Sequence, residues 1–222
     1  MKRFICTLFA ACCLLVSGAH AQSIAAPVAE EGNSWEFQTL DLWSGKTTSR
    51  MTRKTIGVAG EYARMLYETT DVGKAGEFIK PRVNEGTIRA DLNSNIMYRG
   101  EKLERITYKW PLEPGKKWSY QIKEDLPLAA NATTPQVITN NTDAEVKGWE
   151  VIEVPAGKFK ALKLVYKNAW STENPVSKGI SISTSWYCPE IKTVVQSTYE
   201  SFGADGSPQT RTKDQLIRYS AK

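Results

Sequence analysis

Histidine and cysteine are nearly absent from this 222-residue chain. Its one histidine, His20, and three of its four cysteines lie within the first 21 residues, so only Cys188 lies beyond them. A protein that loses those 21 residues has no imidazole and one thiol. That composition excludes a Ser-His-Asp triad, a Cys-His dyad, an imidazole-ligated metal and an internal disulfide. We therefore predict no metal site and no cofactor.

The first 21 residues have the pattern of a secretory signal peptide. A positive pair, Lys2-Arg3, precedes an apolar run over residues 4–16 and a small-x-small cleavage site at 19–21. The apolar run is shorter than the ~20 residues that a membrane-spanning helix needs, and no other segment has a run of that length. The pattern predicts a periplasmic or secreted protein without a transmembrane span.

Lipid attachment at Cys12 is the alternative to cleavage. Ala10 and Ala11 provide the small residues that should precede a lipid-modified cysteine, but Phe9 stands where a small branched aliphatic residue is expected. Lipid attachment there would also leave almost no apolar core in the signal. Cleavage after Ala21 is therefore the favoured prediction.

The 201 residues that would remain fit a single β-domain. Without Lys2 and Arg3, 27 basic residues stand against 24 acidic ones, and the two signs are interspersed. This mild excess does not predict nucleic-acid binding, which needs clustered positive charge. Residues 22–33 lack periodicity and are predicted to be a flexible leader, followed by one domain over residues 34–222.

Apolar and polar residues alternate with a period of two along much of this domain. The alternation is clearest over residues 106–110, 118–122 and 180–186, where Thr, Lys, Ser and Gln occupy the intervening positions. Such alternation is typical of antiparallel strands that cover a core on one side. Roughly ten such strands predict an all-β fold, either an antiparallel β-sandwich or a curved half-barrel.

Two connecting segments are also predicted. Pro155-Ala156-Gly157-Lys158 is predicted to form a type I turn with a bulge, which joins residues 149–154 to residues 159–167 in a hairpin. Residues 125–142 are rich in Ala, Thr, Asn and Pro, and they are predicted to be a long loop.

Aromatic residues suggest the candidate binding site. The chain has seven tryptophans, and on strands of period two they either fill the core, which is the commoner outcome, or line a cavity for an apolar ligand. The candidate ligand-binding residues are Trp118, Tyr120 and Trp186, because they lie on regularly alternating strands.

Carboxylates are the remaining conventional catalytic groups, and glycoside hydrolysis needs two of them about 5–10 Å apart. Those in strand-like or turn contexts are Glu36, Asp41, Glu153, Glu173 and Glu190. Nothing in the sequence pairs any two of them, so no catalytic residue is predicted. Cys188 is either a reactive thiol or, more commonly for such a position, a small buried apolar residue.

Three segments carry a resemblance to a known family. They are W-P-L-E-P-G-K-K-W at 110–118, V-P-A-G-K-F-K-A-L-K at 154–163 and W-Y-C-P-E-I at 186–191, the last leading into Val194-Val195. These segments resemble a TapB-like "domain of unknown function" family of exported proteins in Gram-negative bacteria, over about residues 105–200. Lys192 stands where that family often has glycine. The resemblance implies a β-rich envelope protein with no known catalytic residues.

The observations together predict a non-enzymatic envelope protein that binds an apolar or amphipathic, lipid-like ligand on a concave sheet face. One alternative is an interaction module for surface or pilus assembly, which would engage an envelope protein partner through an exposed strand edge. The other is a carboxylate-dependent glycan hydrolase. An enclosed apolar pocket would favour the first function, a long unprotected edge the second, and two facing carboxylates in a polar cleft the third.

We expect the mature protein to begin at Gln22, because Ala19 and Ala21 fit the small-residue positions that signal peptidase reads. The intact mass of protein purified from the periplasm measures this directly. A species that retains Cys12 with added acyl mass would contradict the prediction and identify a lipoprotein.

Overall fold

The computed structural model describes residues 23–73, 75–126, 136–173 and 176–221. These ranges contain twelve β-strands. The described residues form no helix of the length and apolar character that crossing a membrane requires. The predicted signal peptide, residues 1–21, lies outside the described residues.

The strands are β1 (Ser34–Asp41), β2 (Thr47–Ala59), β3 (Tyr62–Asp71), β4 (Arg82–Arg89), β5 (Ser94–Tyr98), β6 (Glu101–Arg105), β7 (Lys117–Asp125), β8 (Val137–Val154), β9 (Gly157–Thr172), β10 (Ser177–Cys188), β11 (Thr193–Gly203) and β12 (Pro208–Ser220).

Ten of the strands form one antiparallel sheet, so the predicted all-β fold is confirmed. Their order is β4-β3-β2-β1-β12-β11-β10-β9-β8-β7, and β5 pairs with β6 in a separate two-stranded sheet. The large sheet consists of two runs of sequential hairpins, β1–β4 and β7–β12. They are joined where β1 pairs with β12, from Ser34 opposite Ser220 to Asp41 opposite Thr212.

The predicted hairpin between β8 and β9 is confirmed. Val154 pairs with Gly157, which leaves Pro155 and Ala156 as the turn. Gly157 has φ +131°, a region that residues with a Cβ rarely adopt. The strands extend from this turn through a long ladder that ends at Ile138 opposite Thr172.

Residues 106–110 were predicted to be a strand, and this prediction is wrong, because β6 ends at Arg105. The Asn93 side chain binds the backbone of Tyr108 on both sides: Tyr108 N donates to Oδ1 at 2.8 Å, and Nδ2 donates to Tyr108 O at 3.0 Å. Trp110 stacks on Tyr108 and meets the edge of Tyr187. Tyr108 and Trp110 therefore belong to a loop whose aromatic rings pack over the sheet, and this segment does not pair as a strand.

The predicted loop over residues 125–142 is shorter than expected. β8 begins at Val137, and Asn140 already pairs with Ile122 of β7. Residues 139–142 are polar on both faces of the strand, Thr139 and Asn141 on one and Asn140 and Thr142 on the other, so no apolar alternation marks them as a strand. Residues 127–135 of the predicted loop lie outside the described residues.

Two hydrophobic clusters lie on opposite faces of the sheet around β9. Ala161 and Leu162 are consecutive and both fully buried, because each faces a different cluster. Ala161 belongs to the cluster that contains Trp35 of β1, and Leu162 belongs to the cluster that contains Leu112 from the loop before β7. A strand covered on both faces loses the alternation that marks a half-buried strand.

The segment predicted to be a flexible leader contacts the domain at several points. Ile24 and Leu112 exchange backbone hydrogen bonds of 2.7 and 2.8 Å. Further along, the Lys192 ammonium lies 2.6 Å from the Glu30 carboxylate, and Gly32 N donates to the carbonyl of Thr55 at 2.9 Å. Nothing in the sequence pattern of residues 22–33 indicates these contacts.

Replacing Gly157 with Val should lower the free energy of unfolding by at least about 1 kcal/mol, because a β-branched residue is strained at positive φ. A Cβ at this position would meet no atom within 4 Å, so the effect isolates backbone strain from steric conflict. Chemical denaturation measures it. Lys158→Val is the matched control at the next residue of the strand, and an equal loss in both variants would contradict this description of the turn.

Candidate functional site

Strands β7–β11 share one open groove, with a volume of about 500 Å³. The register carries a single row of side chains across it: Tyr120 lies opposite Thr142, Thr142 opposite Asn168, and Asn168 opposite Ser181. Directly opposed residues on antiparallel strands point to the same face. We call this the groove face of the sheet.

Hydroxyl and amide side chains dominate the groove. Twelve of its sixteen lining residues carry one, namely four tyrosines, four serines, two threonines and two asparagines. The other four are Ile122, Val194 and an ion pair, Arg105 with Glu124, whose charged atoms are 2.8 Å apart. The groove therefore combines many hydrogen-bonding groups with the apolar rings of its tyrosines, and its lining carries no net formal charge.

Side-chain hydrogen bonds organise the centre of the groove around Asn168. Its Nδ2 donates to Asn140 Oδ1 at 2.9 Å, and its Oδ1 accepts from Thr142 Oγ1 at 3.2 Å. Ser181 Oγ lies 3.5 Å from the same Nδ2. Because these groups constrain one another, the donors and acceptors on the groove face are held in fixed positions.

Two hydroxyl groups in the wall of the groove are buried without a well-formed hydrogen bond to any described residue. They belong to Tyr166 and Ser185, which neighbour each other. Burial raises the pKa of Tyr166 well above its ordinary value, and the nearby Ser185 hydroxyl opposes this in part. A buried hydroxyl left unpaired costs about 1–3 kcal/mol, which a hydrogen-bonding partner would recover.

The structure brings two of the three predicted site residues together. Tyr120 is half-buried and lines the groove. Trp118 is on the same face but lies beneath the groove, 7% exposed, with its ring edge against Tyr166 and its Nε1 donating to Ile106 O at 3.1 Å. Trp118 therefore supports the groove wall from within the core.

Trp186 lies on the opposite face of the sheet. Ser183 points into the groove, and Trp186 is three residues further along an uninterrupted ladder with β9, so it points the other way. Its Nε1 donates to Glu150 Oε2 at 2.7 Å, and the Lys163 ammonium lies 5.4 Å from its ring centroid. Trp186 cannot share a ligand in the groove with Tyr120.

The serines of β10 are not among the residues that the sequence predicts for the site. The alternation over residues 180–186 predicts Ile180 and Ile182 on the core side, but Ile180 is 50% exposed whereas Ser181 and Ser185 are 5% and 8% exposed. The alternation correctly predicts two faces. It does not say which face the protein covers, because that depends on elements that pack from elsewhere in the chain.

The described carboxylates do not form a facing pair in the groove, whose lining includes one acid, Glu124, held by Arg105. Of the acids noted in the sequence, Glu36 pairs with Arg218 at 2.6 Å, and Asp41 accepts from the backbone of the turn that follows it. Among the described residues, no group of three or more His, Cys, Asp or Glu side chains is arranged to hold a metal ion.

The strand at one edge of the sheet, β4, is mostly exposed, and three of its eight residues are charged. Arg82 and Arg89 pair with Asp71 and Asp91 at 3.0 and 2.9 Å. Charged residues on an edge strand oppose pairing with another chain.

Cys188 is 1% exposed, and burial raises its pKa, so its prediction as a small buried residue is confirmed.

No family model matches the sequence, and no curated protein matches it significantly. The TapB-like resemblance therefore stays a prediction. An inferred exported protein with a YmcC-like fold from Bacteroides fragilis is 16% identical with a TM-score of 0.44, over 90% of this chain and 100% of that chain. An inferred lipoprotein from Parabacteroides distasonis is 14% identical with a TM-score of 0.45, over the same shares. The hypothetical lipoprotein YmcC from Escherichia coli is 12% identical with a TM-score of 0.39, over 86% of each chain. Identities and scores this low support no inference about function.

Alkaline pH should destabilise the protein through its buried tyrosines. Burial raises the pKa of Tyr108 to about 12, and it also raises the pKa of Tyr187. The unfolded chain releases these protons near pH 10, so stability is full below pH 10 and falls as the pH rises through 10 to 12. Tyr108 alone should contribute about 2 kcal/mol of this loss.

Denaturation midpoints measured between pH 8 and pH 12 test this prediction. Tyr108→Phe should flatten the decline above pH 10 relative to the unmodified protein, whatever its effect on the midpoint at pH 8. Identical slopes for the two proteins would contradict the assigned pKa of Tyr108.

Proposed function

We propose that this chain is an exported binding protein whose groove holds a neutral, hydroxyl-rich ligand of the oligosaccharide type. The observation that carries the proposal is the lining of the groove, in which hydroxyl and amide groups occupy twelve of sixteen positions around a single closed ion pair. Export is supported by the predicted signal peptide. The volume of about 500 Å³ lies within the usual range of ligand sites.

Desolvation favours a sugar over a lipid chain. An acyl chain laid over Asn140, Thr142 and Asn168 would remove water from polar groups without replacing its hydrogen bonds, which is costly for each group. Sugar hydroxyls both donate and accept, so they can replace that water. The lipid-like ligand predicted from the tryptophans is thus disfavoured by the residues that line the groove.

The tyrosines supply the apolar component of such a site. Tyr120 is half-buried on the groove face, and Tyr199 at the other side is 40% exposed. A tyrosine ring offers a flat apolar surface with a polar tip, which suits a ligand with both C–H faces and hydroxyl edges. The proposed ligand is therefore amphipathic, as the sequence predicts. Its apolar part is the C–H face of a sugar ring instead of an acyl chain.

Calorimetric titration of the mature protein with maltohexaose, cellohexaose and chitohexaose tests the proposal, with oleate and phosphatidylglycerol vesicles as the lipid arms. At least one hexasaccharide should bind saturably. Tyr120→Ala should weaken that binding about tenfold or more, equivalent to about 1.4 kcal/mol, and Tyr120→Phe should weaken it less.

Gln121→Ala is the matched control, because Gln121 is the next residue of β7 and is exposed on the opposite face, bonded to Asn141. This variant should bind the hexasaccharide as the unmodified protein does. Saturable binding of oleate with no response to any hexasaccharide would overturn the proposal in favour of a lipid carrier. Equal losses in the Tyr120 and Gln121 variants would place the ligand outside the groove.

A further inference from the structure

A partly buried arginine on β2, Arg53, forms no ion pair with a described acidic residue. Arg53 lies opposite Trp35 on one side and Tyr67 on the other, and its guanidinium carbon is 4.7 Å from the centroid of the Phe37 ring and 5.8 Å from that of Trp35. Its Nη2 donates to Thr193 Oγ1 at 2.7 Å. Its Nε is buried and has no hydrogen-bond partner among the described residues.

The ion pairs among the described residues leave Arg53 out, although they include most of the other arginines. Asp214 attracts the guanidinium through space, but its carboxylate already accepts from Thr39 and Ser197 at 2.6 and 3.2 Å. Burial lowers the pKa of Arg53, as expected for a desolvated cation. The aromatic rings offset only part of that desolvation.

A small cavity adjoins this arginine. It measures about 40 Å³, and its polar lining includes Arg53, Thr55, Lys192 and Thr193. Residues 27–29 of the predicted leader form part of its wall. Lys192 has φ +56°, a conformation uncommon for a residue other than glycine, and such outliers concentrate at functional sites. The cavity shares no lining residue with the groove.

We propose that this cavity binds a carboxylate group, either a small free carboxylate or the acidic group of a sugar acid. The planar guanidinium offers parallel N–H donors that match the two oxygens of a carboxylate. The unpartnered Nε–H supplies one of them. A volume of about 40 Å³ holds roughly three water-sized groups, which suits a carboxylate better than a phosphate. The bound anion also neutralises the guanidinium charge.

Acetate, formate, glucuronate and phosphate are the probes, titrated into the mature protein in a carboxylate-free buffer at constant ionic strength. Thermal denaturation should show a saturable rise in Tm with acetate and formate, as expected when a ligand binds only the folded state. Tighter binding of glucuronate than of acetate would identify a sugar acid as the source of the group. Equal or tighter binding of phosphate would overturn the assignment to a carboxylate.

Arg53→Met should reduce the affinity for acetate at least tenfold. The control is Arg50→Met, which removes the same charge from the same strand, at an exposed side chain that stacks on Phe78. The Arg50 variant should respond to acetate as the unmodified protein does.

Should Arg53→Met fail to fold, the Nε–H proton resonance of Arg53 in the unmodified protein gives a second readout. We expect it to move downfield on addition of acetate, and Arg53→Lys identifies it by its absence. A resonance that does not move, together with an unchanged Tm in acetate and formate, would overturn the proposal.

Discussion

The antiparallel pairing of β1 with β12 joins two runs of hairpins into one sheet. Trp35 and Phe37 of β1 reach the same cluster as Phe159 of β9 and Leu216 of β12 because of this pairing. Trp35 Nε1 also donates to Ile191 O at 2.9 Å, across 156 positions of the sequence. Without this pairing the strands β1–β4 would lack most of the partners that bury their apolar side chains.

The strands β8–β10 are long enough to contribute side chains to both hydrophobic clusters and to the groove. Near the β8–β9 turn, Phe159 and Ala161 pack into one cluster, whereas Leu162 and Leu164 pack into the other. Further from the turn, the same strands present Asn140, Asn168 and the serines of β10 to the groove. Packing near the turn fixes the register of these strands. The same register positions the donors and acceptors of the groove at the other end of the strands.

The groove and the surroundings of Arg53 differ in their electrostatics. The two charged residues of the groove lining, Arg105 and Glu124, form an ion pair with each other. The other polar groups of the lining are hydroxyls and amides. Arg53 is a partly buried cation, with rings and a hydroxyl as its described partners. Neutral polar ligands suit the first environment, and anionic groups suit the second.

Local sequence determined the elements whose signals are contained within a few residues. The turn at Pro155-Ala156, the strands around residues 118–122 and 180–186, and the buried Cys188 follow from turn chemistry and period-two alternation. The all-β class follows from the same signals repeated along the chain. In each case the residues that carry the signal are also those that form the element.

Only the tertiary structure decided which face of each strand is covered, because burial depends on partners distant in sequence. Ser181 and Ser185 are buried and Ile180 is exposed, an outcome that alternation alone cannot distinguish from its reverse. Trp118 and Trp186 lie on opposite faces because the ladder through β8 and β9 sets their relative orientation. The surroundings of Arg53 likewise depend on Thr193, which accepts its hydrogen bond from 140 positions away, and on residues 27–29, which line the same cavity.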